Sequence, residues 1–259
     1  MNEVNTKTLK ERSATRNLVS HLMKDRLAVI GLILVILITS SAILAPLIVP
    51  HNPNKINVRH RLKGPSAENW LGTDQLGRDV FSRVIVGSRI ALQVALVSIT
   101  IAGSCGLLLG MMAGYGSKKL DGILIILFDT VRSFPTIMFA LAVVTLVGPS
   151  LNTIILVVII TSIPVYGRIV RTQTQALKHN EFILAEKAMG AGKLRILGVH
   201  ILPNVIGPLL IIASMDIPVV VTIEAGLSFL GLGVRPPTAS WGSILNDGYA
   251  FIRNTPWLV

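Results

Sequence analysis

The chain has 259 residues, of which 51% are hydrophobic and only 14% charged, with a mean hydropathy of +0.67. A soluble domain carries about 25% charge, so the composition excludes one and implies a polytopic membrane protein; its apolar runs are read as helices, which makes the expected class all-α. The net charge of +11 raises nucleic acid as a partner, but the basic residues fall between apolar runs with few aromatics among them, so a positive-inside topology is expected and no nucleic acid.

In chain order, residues 1–26 are polar and hold Lys7, Lys10, Arg12, Arg16, Lys24 and Arg26, which reads as a cytoplasmic tail. Residues 27–49 form an uncharged run that meets the requirement of about 20 residues for a bilayer crossing. The run exceeds the roughly 7–15 residues of a signal-peptide core, so an uncleaved first span is expected. Residues 50–89 form the next segment, whose glycines and alternating Asp and Arg between Gly72 and Arg83 suggest a compact, salt-bridged loop leading into a helix. Residues 90–116 carry no charge, and Ala102, Gly106, Gly110 and Gly114 recur every fourth residue, a stripe that lets another helix pack close.

Residues 123–147 read as the third span. Asp129 and Arg132 lie three apart on it, where one helix face can bring them together, and Pro135 loosens the helix a turn later. A charged pair inside a membrane is either a structural pair or part of a path. Gly148-Pro149-Ser150 makes a turn, and residues 151–169 return as the fourth span.

Residues 175–203 form a charged, amphipathic island between apolar runs. A helix is expected through Phe182, Ala185 and Met189, stopped by Gly190-Ala191-Gly192, and then a second short helix from Lys193 that Pro203 ends. The small residues Ala185, Ala188 and Gly190 suit a knob offered to a partner groove; a segment lying on lipid headgroups is the alternative. Residues 204–224 read as the fifth span, with Asp216 in its middle followed by Pro218, and Glu224 at its end. A carboxylate at that depth must be paired or face water, so Asp216 is expected to face the bundle interior, either lining a path or capping backbone groups freed by Pro218. The glycines and prolines of residues 224–242 force a turn, and residues 255–259 begin another apolar run.

Three strings carry a family resemblance. Leu184-Ala185-Glu186, Gly190 and His200-Ile201-Leu202-Pro203 resemble the EAA loop of ABC importer permeases, with Leu184 where that pattern has Glu, Glu186 where it has Ala, and His200 where it has Ile. Leu71-Gly72-Thr73-Asp74-Gln75-Leu76-Gly77-Arg78-Asp79 and Glu224-Ala225-Gly226-Leu227-Ser228-Phe229-Leu230-Gly231 resemble signatures of the C-type permease of dipeptide, oligopeptide and nickel importers. The resemblance implies the type I ABC transmembrane fold with six spans, the sixth cut short here. It places residues 50–89 outside, against the seven basic residues they hold. It also implies a second permease subunit as heterodimer partner, two ATPase subunits holding ATP-Mg, an external solute-binding protein, and the cytoplasmic (inner) membrane of a prokaryote. The coupling segment is then Glu181, Leu184, Ala185, Glu186, Ala188, Met189, Gly190, Ala191 and Lys193. Asp129, Arg132, Asp216 and Glu224 are the candidates for a translocation path.

No cofactor, metal or catalytic set is expected in the chain itself. Gly192-Lys193 approaches a nucleotide-binding loop, but Lys187 stands where its first glycine belongs and Leu194 where its Ser or Thr belongs. The five histidines are scattered in loops, and the one cysteine, Cys105, lies in an apolar run. The reading is an ATP-driven permease for short peptides, with nickel or another small solute as the alternative within the family. An ion-coupled transporter or channel is the alternative from another class. A scaffold that transports nothing is the third.

Overall fold

A computed structural model describes residues 23–259; Lys7, Lys10, Arg12 and Arg16 of the expected tail lie outside the described residues. The described residues divide into two compact units, the first ending at Ile48 and the second Val49–Val259. In the first, helix α1 (Arg26–Ile43) is started by Asp25, whose Oδ1 accepts the backbone N–H of Leu27 at 2.9 Å. Its residues are apolar on every face and mostly exposed, among them Ile30, Leu34 and Leu37, the composition of a helix surrounded by lipid or other helices.

The second unit is a bundle: α2 (Val80–Tyr115), α3 (Lys118–Arg132), α4 (Thr136–Val147), α5 (Leu151–Lys178), the short α6 (Glu181–Ala188), α7 (Leu202–Phe229) and α8 (Trp241–Tyr249). Among the described residues only an isolated bridge, Thr73 to Asp79, has strand-like pairing. Helices α1, α2 and α5, and the run Lys193–Phe229 that ends in α7, are each long and apolar enough to cross a membrane; α3 with α4 makes a fifth crossing if the pair is one broken span.

The centre of the bundle is α2 against α5. Val94, Ala95 and Ala102 pack with Ile154, Val157, Val158 and Val170, all fully buried. Farther along the same seam the small-residue stripe does what its spacing suggests. A Cβ on Gly106 would lie 2.6 Å from Tyr166 Cβ, one on Gly110 2.5 Å from the Gly167 carbonyl, and one on Gly114 2.6 Å from Thr174 Cβ. The backbones touch because the side chains are missing. Helix α7 adds Val205, Leu209, Val220 and Leu227 to the same core.

Several helix limits differ from those hydropathy suggests. Helix α2 begins ten residues earlier than the apolar run, because the Asp79 side chain accepts the Ser82 N–H at 2.8 Å and so starts the helix. Its 36 residues span about 54 Å at 1.5 Å each, well beyond a hydrocarbon layer of about 30 Å, so one end must project from it. Helix α5 likewise continues past Ile169 to Lys178, and α7 past Glu224 to Phe229. The third span is not one rod: α3 and α4 meet at 83°. Pro135 has no N–H to give and disfavours helical backbone at Phe134, so the break is sharper than the loosening expected of it. Nor does Pro203 end a helix. Lys193–Arg195 runs through a π-helical segment, Ile196–Ile201, directly into α7, where Pro203 sits in the first turn and its missing N–H costs little.

Candidate functional site

The knob is built as follows. Helix α6 ends in a Schellman motif: Gly190 has φ +85°, the Ala191 N–H reaches the Glu186 carbonyl at 3.0 Å, and the Gly190 N–H reaches that of Lys187 at 3.0 Å. Ile183 of α6, with Ile196 and Ile201 of the π-helical segment, is completely buried and pins the knob to the bundle. Most of the rest points away. Phe182, Leu184, Met189 and Leu194 are 44%, 50%, 74% and 86% exposed, and Glu181, Ala185, Ala188, Gly190 and Lys193 are exposed with them. Ala191 is half-buried. The helix therefore hides one isoleucine and, among the described residues, leaves most of its apolar surface uncovered.

Two contacts brace it. Lys187 of α6 and Lys178 of α5 place their ammonium groups 5.3 and 5.5 Å from the ring centre of Tyr115, where α2 ends. Glu186 Oε1 lies 3.3 Å from His200 Nε2, a distance at which a protonated imidazole pairs with the carboxylate. These are two of the three positions that depart from the EAA pattern, and they face each other. Glu186 is thereby turned inward, and Glu181 is the exposed carboxylate of α6.

The path candidates are scattered. Asp129 does not pair with Arg132; its carboxylate accepts Arg168 of α5, and both partners are half exposed. Arg132 is exposed. Two turns nearer the start of α3, Asp121 takes Arg171 Nη2 at 2.7 Å and Gln175 Nε2 at 3.3 Å. Two carboxylates on α3 thus face two arginines on α5. Asp216 is half-buried, and among the described residues no backbone N–H donates to its carboxylate. Glu224 is completely enclosed, with Ser228 Oγ donating to Oε1 at 2.6 Å and Oε2 left without a partner. Among the described residues, no hydrogen bond or ion pair links Asp216 or Glu224 to the α3 charges.

The segment before α2 is a rigid cap. Asp74 Oδ1 accepts the N–H groups of Leu76 and Arg78 at 2.9 Å each, and its Oδ2 lies 2.6 Å from Arg78 Nε and 3.5 Å from Arg83 Nε. The same two guanidinium groups reach Asp247 of α8 at 3.1 and 3.4 Å. Gly77 has φ +73°, and a Cβ there would overlap the Asn57 carbonyl. Trp241 Nε1 donates to the Val84 carbonyl at 3.0 Å, tying the start of α8 to the first turns of α2 at one end of the bundle. The salt-bridged loop is as expected, but its second carboxylate, Asp247, lies far along the chain and nothing in the sequence marks it. The burial of Ile183 and the bracing of Lys187 against Tyr115 were also missed, because both depend on what packs beside α6.

Comparison with known proteins finds the following. Residues 106–258 match the family model described as binding-protein-dependent transport system inner membrane component, and residues 13–65 match the N-terminal TM domain of oligopeptide transport permease C. The dipeptide transport system permease protein DppC of Alkalihalophilus pseudofirmus is 39% identical over 247 residues, 95% of this chain and 81% of that protein. DppC of Bacillus subtilis is 35% identical, covering 95% and 77%. The probable D,D-dipeptide transport system permease protein DdpC of Escherichia coli is 36% identical, covering 89% and 78%. Among solved structures, the MetNI methionine ABC transporter in an inward-facing conformation aligns with a TM-score of 0.56 at 21% identity, over 69% of this chain and 84% of that one. That likeness extends to the fold: the transmembrane domain of a type I ABC transporter.

Proposed function

Since the chain belongs to the binding-protein-dependent inner membrane components, as a C-type permease of an ABC importer, we propose that it carries short peptides across the cytoplasmic membrane of a prokaryote by alternating access. ATP is hydrolysed on two separate ATPase subunits, a second permease subunit completes the path, and an external binding protein delivers the peptide. The relatives named for dipeptide transport support the choice of cargo.

The observation that carries this reading is the knob: an apolar surface on α6 pinned by Ile183 and Ile196, with the segment after its glycine stop running from Lys193 directly into α7. Closure of the ATPase pair pushes on α6, and the continuous helical run from Lys193 passes the movement to α7 and its half-buried Asp216. Exposed Glu181 supplies the acidic contact, since Glu186 is turned toward His200. Asp129, Arg132, Asp216 and Glu224 remain the proposed charged residues of the path. Glu224, being enclosed, serves it only if the bundle opens around it.

Replacing Gly190 with valine tests the lever. The left-handed backbone there disfavours any side chain with a Cβ, although nothing lies within 4 Å of where that atom would be. The chain is expected to insert normally while ATP-driven dipeptide uptake into vesicles falls at least tenfold, roughly 1.4 kcal/mol of coupling or more. Uptake that is unaltered refutes the lever, and uptake that survives ATP depletion with the ion gradient intact favours an ion-coupled transporter.

A further inference from the structure

A cavity of about 250 Å³ opens where the cap meets the turn after α7, lined by Gln75, Arg78, Arg83, Arg235, Asn246 and Asp247 among others. The charges on its wall are three arginines against one aspartate; Asp74 stands behind them, and Glu224 lies behind Ser228. The buried pairs use up most of the donors. Arg83, only 2% exposed, gives Nη2 to Asp247 and has Nε 3.5 Å from the Asp74 carboxylate, and its Nη1 has no hydrogen-bond partner. Acceptors are present as well: Gln75 Oε1 is buried and unpartnered, and Asn246 donates Nδ2 to the Phe229 carbonyl, leaving its oxygen free.

A guanidinium donor without a partner, beside a second and third guanidinium, suits a carboxylate, which it binds through charge-assisted hydrogen bonds. Two amide acceptors on the same wall suit the N–H groups that precede the C-terminal carboxylate of a peptide. Val234, Arg235 and Thr238 also line a neighbouring cleft of about 580 Å³ whose other walls include Ile90, Val147 and Leu151, a volume within the usual range for ligand pockets. We infer that the two spaces form a holding site for a short peptide, its C-terminal carboxylate at Arg83, Arg78 and Arg235 and a side chain in the apolar cleft. This rests on the peptide-importer reading and adds to it a stage at which this subunit itself holds the cargo.

The test is thiol protection in the full transporter complex. Thr238→Cys, at a wall shared by both spaces and outside the proposed polar contacts, is made in a Cys105→Ser background, and its labelling by a small charged thiol reagent is followed in proteoliposomes without binding protein. Alanyl-alanine is expected to slow labelling at least fivefold, whereas its C-terminal amide and acetate at the same concentration leave the rate unchanged. Arg235→Gln, which spares the buried network, is expected to remove most of that protection. Equal protection by the amide, or no protection by the dipeptide, overturns the inference. Uptake measured on the same vesicles with binding protein added separates the two readings. Uptake without protection removes the holding site alone, and no uptake of any short peptide, with ATP hydrolysis intact, removes the peptide-importer reading with it.

Discussion

Replacing Asp74 with asparagine is expected to destabilise the subunit by about 3–5 kcal/mol, the range for removing one partner of a buried charge pair. Asp74 is 4% exposed and holds Arg78 and Arg83, themselves 5% and 2% exposed. Asparagine keeps the shape and one oxygen for the Leu76 and Arg78 N–H groups, but it leaves two enclosed guanidinium groups with Asp247 as their only shared carboxylate. The comparison is Asp129→Asn, which breaks a pair whose partners are half exposed and is expected to cost about 0–1 kcal/mol. Thermal unfolding of the purified complex, with the amount of chain recovered in membranes, separates the two. Equal losses from both substitutions contradict the buried network as the anchor of the cap.

The second large effect is at the α2–α5 seam. Gly110→Leu puts a branched side chain where even a Cβ would lie 2.5 Å from the Gly167 carbonyl and 2.7 Å from Val170 Cβ. Overpacking a core usually costs about 1–3 kcal/mol, because a neighbouring side chain can move. Here the obstacle includes backbone, so the helices must part along the stretch that Gly106, Gly110 and Gly114 hold together. The expected cost lies at or above the top of that range, seen as loss of folded subunit from the membrane. Gly103→Ala on the same helix, where no atom lies within 4 Å of the new Cβ, is expected to be neutral or slightly stabilising through helix propensity. Folded, active Gly110→Leu protein would mean that the seam is looser than these distances imply.

What the sequence revealed and what it concealed divide along physical lines. Local chemistry was legible: Gly190 as a helix stop, the four-residue stripe, and the Asp and Arg alternation before α2 each act within a turn or two of where they stand. Pairing across the bundle was not. Asp129 has Arg132 at three residues' distance and yet takes Arg168, 39 residues away, because α5 runs beside α3 and offers its arginines there. Asp247 escaped notice for the same reason. Pro203 misled because a proline in a first turn continues a helix as readily as one in the interior breaks it, and the pattern alone does not distinguish these. The knob was found as a segment, but its orientation depends on which residue is buried. Ile183 holds that place, and Phe182, Ala185 and Met189 are exposed, so the small-residue surface read as a knob is left free for a partner.

The most direct measurement places a cysteine at Met189 of the knob, in a Cys105→Ser background, and tests it against cysteines introduced one at a time across the membrane-facing surface of the ATPase subunit in an assembled, transporting complex. A disulfide at one or a few neighbouring positions, with uptake blocked by the bond and restored on reduction, is the expected result. If no position cross-links while ATP-driven uptake proceeds, the knob is not where the two subunits meet, and force does not enter the permease through it.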